Sequence, residues 1–159
     1  MFVLKSERPR SEKGLKIFMA EYTNSTTQTV TPGSNVILTE TPVPGGGCIL
    51  HREDSGQVLL RGITRGQRRA RFYADFGANV AIPADGTVGP ISMAIALDGE
   101  PLNSSIMIST PTATEAFNNI SGSLYIDVPC GCCTTLSVKN VGPNPVSVAN
   151  ASLIVTREA

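Results

Sequence analysis

Turn chemistry interrupts this chain so often that long helices are excluded. Pro32-Gly33-Ser34, Glu53-Asp54-Ser55-Gly56, Ala84-Asp85-Gly86 and Asp98-Gly99 separate short apolar runs, and PVPGGG over residues 42–47 stops any element that reaches it. No stretch of more than about ten residues combines helical periodicity with freedom from Gly and Pro. The runs themselves favour extended backbone. Residues 26–30 and 36–41 are rich in β-branched side chains, and residues 71–82 (RFYADFGANVAI) alternate large apolar with small or polar positions, as a half-buried strand does. Residues 91–97 (ISMAIAL) run back, and Asp98-Gly99 after them is a two-residue hairpin signal because both positions tolerate positive φ. Further strand patterns fall at 48–50, 58–60, 105–108, 113–128, 134–140 and 146–156. Short strands punctuated by turns every 8 to 12 residues or so predict an all-β fold, an antiparallel β-sandwich with a jelly roll of about eight to ten strands.

A chain of 159 residues supports one core, and no interior linker divides it, so residues 26–159 are expected to form a single domain. Residues 1–25 read differently. Lys5, Arg8, Arg10, Lys13 and Lys16 crowd the first eighteen positions against Glu7 and Glu12, which predicts a basic arm. Met19 offers a second explanation: it is a plausible true start, preceded by Glu12-Lys13-Gly14, whose codons can spell a purine-rich ribosome-binding site. From Met19 onward eight basic residues face eleven acidic ones. No apolar run approaches the roughly 20 residues needed to cross a bilayer, so no membrane partner is expected.

Charged residues make up only 16% of the chain, with one His and no Trp, so the side chains that usually move protons or hold metals are scarce and no enzyme is expected. His51 has Glu53 and Asp54 nearby, but no Gly-x-Ser-x-Gly elbow supplies a nucleophile. Gly45-Gly46-Gly47 lacks the Lys-Ser/Thr and the following helix of a phosphate loop and reads as a turn. Cysteine is the most specific chemical feature. Cys48, His51, Cys130 and Cys132 offer ligands of the type zinc prefers, although Cys130-Gly131-Cys132-Cys133 is tighter than a zinc knuckle. Disulfides and buried free thiols are the other two readings, and neither a metal nor any other cofactor is expected. Arg61, Arg65, Arg68, Arg69 and Arg71 fall within eleven residues that contain no acid. They predict an anion-binding loop for a glycan sulfate, an acidic protein surface or, less well, nucleic acid, since no aromatics interleave to stack bases. The alternative is pairing with the acids that dominate from Phe72 onward. Asn24, Asn103, Asn119 and Asn150 head Asn-x-Ser/Thr sequons, which matter only in a glycosylating host.

The order of the C-terminal half resembles a known family. A long strand (Arg71-Phe72-Tyr73-Ala74-Asp75-Phe76) is followed by one that runs into a hairpin (Met93-Ala94-Ile95-Ala96-Leu97-Asp98-Gly99-Glu100). Leu136-Ser137-Val138-Lys139-Asn140-Val141 comes next, and Asn150-Ala151-Ser152-Leu153-Ile154-Val155 closes the chain. This succession is similar to the C1q and tumour-necrosis-factor-like jelly roll over about residues 35–157, especially its forms in spore-surface filaments and phage structural proteins. The resemblance implies a homotrimer around a three-fold axis, serving in display, decoration or adhesion. No Gly-X-Y repeat is present, so a triple-helical stalk is not expected and capsid decoration is favoured over a filament tip. The expected partners are sister copies, a capsid or surface-layer protein and a host glycan. The expected location is a virion surface, or a bacterial spore or cell surface, after synthesis in the cytoplasm. An alternative is a glycan- or ligand-binding module that uses exposed loops. Phe72, Tyr73, Phe76, Ile91, Met93 and Ile95 are the expected trimer contacts, since a face rich in such side chains is costly to leave in water; the alternative is that the two strands carrying them fill the protomer core.

Overall fold

The computed structural model describes residues 18–159, which form twelve strands in two antiparallel sheets. In chain order these are β1 (Met19–Asn24), β2 (Gln28–Val30), β3 (Glu40–Val43), β4 (Ile49–His51), β5 (Val58–Arg61), β6 (Arg69–Ala81), β7 (Ile91–Leu97), β8 (Glu100–Pro101), β9 (Met107–Ser109), β10 (Asn118–Pro129), β11 (Cys133–Asn140) and β12 (Val146–Arg157). One sheet runs β10-β6-β12-β1-β3, with β2 also on β12. The other runs β4-β5-β11-β7-β8, with β9 also on β7. The long partners lie far apart in sequence, as in a jelly roll. The expected sandwich is therefore present, with more strands than anticipated because β2, β4, β8 and β9 are only two or three residues long.

Two strand boundaries move for identifiable reasons. Residues 113–117 do not extend β10, because Glu115 takes a left-handed φ of 59° and its N–H bonds to Ile82 O at 2.8 Å. Residues 36–39 are not a regular strand. They hang between the sheets on single bonds, Val36 N to Val138 O at 2.8 Å and Leu38 N to Ser55 O at 3.1 Å. The Asp98-Gly99 hairpin forms as expected, both residues with positive φ, and Asp98 also accepts the Thr135 N–H through Oδ1 at 2.9 Å.

The expected arm over residues 1–25 does not hold for residues 19–24. Met19–Asn24 is a strand in the interior of its sheet, paired with β12 from Met19↔Thr156 to Asn24↔Ala151 and with β3 on the other side. Its alternation places Ala20, Tyr22 and Asn24 inside. Burial pushes the Tyr22 hydroxyl's pKa up, and the His51 ring lies against it with centroids 4.5 Å apart. Among the described residues the sandwich thus starts at Met19 rather than 26, and the basic positions Lys5, Arg8, Arg10, Lys13 and Lys16 lie outside the described residues.

The core is filled by the inward faces of both sheets. Ala70, Phe72, Ala74, Phe76, Ala78 and Val80 of β6 meet Ile91, Met93 and Ile95 of β7 and Leu136 and Val138 of β11 in one cluster. This corrects the expected trimer contacts: Phe72, Phe76, Ile91, Met93 and Ile95 are all buried within the protomer and face the opposite sheet. Side chains alternate across a strand, so Phe72 and Phe76 share one face of β6 while Tyr73 projects from the other. Two buried polar groups tie the edges of the core. Asn140 Nδ2 donates to Val30 O (3.0 Å) and Asn144 O (2.8 Å), and its Oδ1 accepts the Gly142 N–H (2.9 Å), joining β11 to the end of β2 and to the turn before β12. Ser105 Oγ accepts the Ile95 N–H at 2.9 Å and so completes β7 in the gap between β8 and β9.

Candidate functional site

The outward face of the β10-β6-β12-β1-β3 sheet is built by register. Tyr125, Tyr73, Thr156 and Met19 form one row across four strands. Ser123, Asp75, Ile154, Glu21 and Val43 form the next. Tyr125 is 65% exposed, and its ring meets Tyr73 with centroids 5.1 Å apart and planes tilted by 53°. Met19 and Val43 are exposed as well. The face is therefore mixed, aromatic and hydroxylated, rather than the greasy flank expected from the apolar residues of β6 and β7, which point inward. Of the six expected contacts only Tyr73 lies on it. Tyr125, missed from the sequence, is its most exposed aromatic.

The arginine cluster is split by the fold. Arg61 ends β5 in one sheet and its Nη1 donates to Gly47 O at 3.3 Å. Arg65 and Arg68 occupy the following loop, and Arg69 and Arg71 open β6 in the other sheet. Arg71 makes a bidentate pair with Asp127 of β10, Nε to Oδ1 at 2.8 Å and Nη2 to Oδ2 at 3.1 Å, while Arg69 Nη1 lies 3.3 Å from Oδ2. The pairing follows from register, which sets Arg71 opposite Asp127. Gln67, Arg68, Arg69, Arg71, Asp127, Pro129 and Ala159 line an open groove of about 630 Å³. Among the described residues, Arg65 and Arg68 form no ion pair.

Hydrogen bonding from the Arg71 guanidinium holds the Asp127 carboxyl below its usual pKa. A carboxylate lowered in this way adds to stability above the ordinary carboxyl pKa, and that contribution disappears as pH falls through the depressed value. Both partners are exposed, so the contribution is small and screened by salt. Carbon-13 NMR titration is expected to find Asp127 ionising below the usual range for aspartate, and to return it to that range in Arg71→Gln. A normal midpoint in the unmodified chain would mean that the pair does not persist in solution.

The β10–β11 turn packs against the arginine loop. Cys132 N bonds back to Pro129 O (3.0 Å), Gly131 takes φ 78°, and the two segments exchange Gly62 N to Cys132 O (2.8 Å), Gly131 N to Gly62 O (2.9 Å) and Cys130 N to Arg68 O (2.9 Å). No side chain fits at Gly62, where a Cβ would fall on Pro129 O. All four cysteines are free. Cys48 is buried, while Cys130, Cys132 and Cys133 are exposed. The zinc alternative does not hold together: Cys48, His51, Cys130 and Cys132 do not converge, and among the described residues no group of three or more such ligands does. The two His51 ring nitrogens are occupied by backbone, Nδ1 at 2.9 Å from Gln57 O and Nε2 at 3.1 Å from Leu38 O. Asn24, head of one sequon, is buried with its side chain bonded to Ile37 O.

The arginine loop and cysteine turn share one end of the sandwich with Phe18 and Ala159, through Arg157 N to Phe18 O (2.8 Å), Arg71 N to Ala159 O (3.1 Å) and Glu158 N to Arg71 O (2.7 Å). The loops over residues 82–90, 110–117 and 141–145 occupy the other end and expose Val88, Phe117 and Val141.

No protein-family model matches the chain, and no curated protein matches it in sequence. Solved structures do match in shape. The globular domain of zebrafish complement 1qA protein aligns with a TM-score of 0.59 at 9% identity, covering 89% of this chain and 95% of that one. Eiger TNF from S. frugiperda aligns at 0.62 with 13% identity, covering 90% and 93%. Murine APRIL aligns at 0.60 with 10% identity, covering 90% and 100%. Strand order, register and these three likenesses together establish that the chain has the C1q/TNF-like jelly-roll fold.

Proposed function

We propose that this chain is a non-enzymatic structural module that assembles as a homotrimer and decorates a phage capsid or, as the second setting, a spore or cell surface. The observation that carries the assembly is the Tyr73–Tyr125 pair, with Met19 in the same row and Ile154 and Val43 in the next, on the outward face of a sheet whose other face is core. Exposed aromatics are the usual anchors of protein interfaces. A standard interface covers about 800 Å² per partner, an area these five strands can supply. The fold supports the same reading through the trimeric arrangement that the resemblance implies. Attachment by the end that carries Phe18, the arginine loop and the cysteine turn leaves the loops at 82–90, 110–117 and 141–145 pointing away from the particle.

Size-exclusion chromatography with light scattering tests the assembly. The expected mass is three times 16.7 kDa, and Tyr73→Asp combined with Tyr125→Asp is expected to return it to one protomer while the circular dichroism stays β-rich. A monomer throughout the micromolar range would remove the main support for decoration. The groove beside Arg68, Arg69 and Arg71 favours a second reading, recognition of a sulfated or acidic glycan by planar guanidinium groups, which an array of such glycans tests directly.

A further inference from the structure

We infer that the Cys130-Gly131-Cys132-Cys133 turn is a thiol–disulfide exchange site that joins copies of this chain covalently. Free cysteine is among the most buried residue types, behaving as a small apolar side chain. Cys48 follows that rule, and packing accounts for it. Three exposed thiols within four residues have no such account. They are also held in place: the backbone bonds to Gly62 and Arg68 fix the turn, and glycine at 62 permits the close approach those bonds require.

The thiols do not point the same way. Leu136 faces the core from β11, so by alternation Thr134 faces inward and Cys133 lies on the outward face, opposite Arg61 in register. Cys132 and Cys133 are successive residues and diverge. Cys130 sits at the corner of the turn with its Sγ 2.9 Å from Thr64 Oγ1, a hydroxyl that can turn its hydrogen toward the sulfur once the thiol has lost its proton. A single exposed thiol joins two chains and stops. Two or more with different directions let one chain bond to two others, which is what closing a ring of three or extending a lattice requires. A second copy of the chain brings the same set of thiols, so the partner chemistry is supplied by the protein itself.

The oxidant is a low-molecular-weight disulfide, which the neighbouring arginines attract when it carries carboxylates. A cysteine thiolate attacks one of its sulfurs, the S–S bond breaks, and one small thiolate leaves and takes up the proton the cysteine lost. A thiolate from a second chain then attacks the protein sulfur of the mixed disulfide, forming the interchain S–S bond and releasing the second small thiol. Two protein thiols are oxidised and one small disulfide is reduced to two thiols.

The test uses the full chain, purified under reductant, exchanged into oxidised glutathione at micromolar concentration and run on a non-reducing denaturing gel. The expected result is a set of bands at dimer, trimer and above that dithiothreitol collapses to the monomer. In the triple variant Cys130→Ser, Cys132→Ser, Cys133→Ser the whole ladder is lost, and variants that keep only one of the three stop at the dimer. A wild-type chain that stays at the monomer position or stops at the dimer overturns the inference, as does a triple variant that still forms the ladder. Light scattering of the reduced protein reads the non-covalent assembly separately, so failure of the trimer and failure of the cross-link are distinguishable.

Discussion

Replacing Phe72 by alanine is expected to lower the unfolding free energy by about 3–5 kcal/mol, the range for removing a large buried aromatic when its surroundings relax only partly. Phe72 is fully buried near the start of β6, which pairs with β10 on one side and β12 on the other. Neither neighbouring strand can collapse into the space without losing its register. Urea denaturation measures the loss, at a fixed protein concentration because the proposed assembly would add to apparent stability. The adjacent Tyr73→Ser separates two roles of one strand. It removes a half-exposed ring from the opposite face, so it is expected to weaken assembly while costing the protomer about 1 kcal/mol or less. Equal losses for the two substitutions would mean that the outward face of this sheet is covered within the protomer.

Asn140→Asp is expected to cost about 3–5 kcal/mol for a different reason, the burial of a charge among groups of the wrong polarity. The asparagine amide donates to two carbonyl oxygens, Val30 O and Asn144 O, from a fully buried position. A carboxylate oxygen in its place has no hydrogen to offer and faces both carbonyls with repulsion. The shape is nearly unchanged, so the effect isolates the hydrogen bonds from packing. Denaturant unfolding near neutral pH reads it, and an unshifted midpoint would mean that water replaces the amide at no cost.

Much of the fold was legible because it is local. The alternation in residues 71–82 and the Asp98-Gly99 signal place β6, β7 and the hairpin after it without knowledge of any partner. The same period of two already separates Phe72 and Phe76 from Tyr73, so grouping all three on one surface ran against the strand's own geometry. β1 was hidden for another reason. Met19–Asn24 is short, follows a basic stretch and begins with a plausible start codon, and its place inside the sheet is decided by pairing with β12, more than a hundred residues later. Arg71 and Asp127 are likewise strangers in sequence, and register alone makes them a bidentate pair. Asn140 closes the strand pattern at 134–140 with no sequence sign of its role, because its three partners belong to segments that only the closed sandwich brings together.

Among the described residues, both ion pairs and the three exposed thiols lie at one rim, which has a consequence for how such a protein diversifies. Val88, Phe117 and Val141 at the far rim are exposed and stand clear of the core cluster. With the proposed attachment and cross-link at the opposite rim, substitutions there touch neither, so a lineage is free to revise what its crown meets one codon at a time.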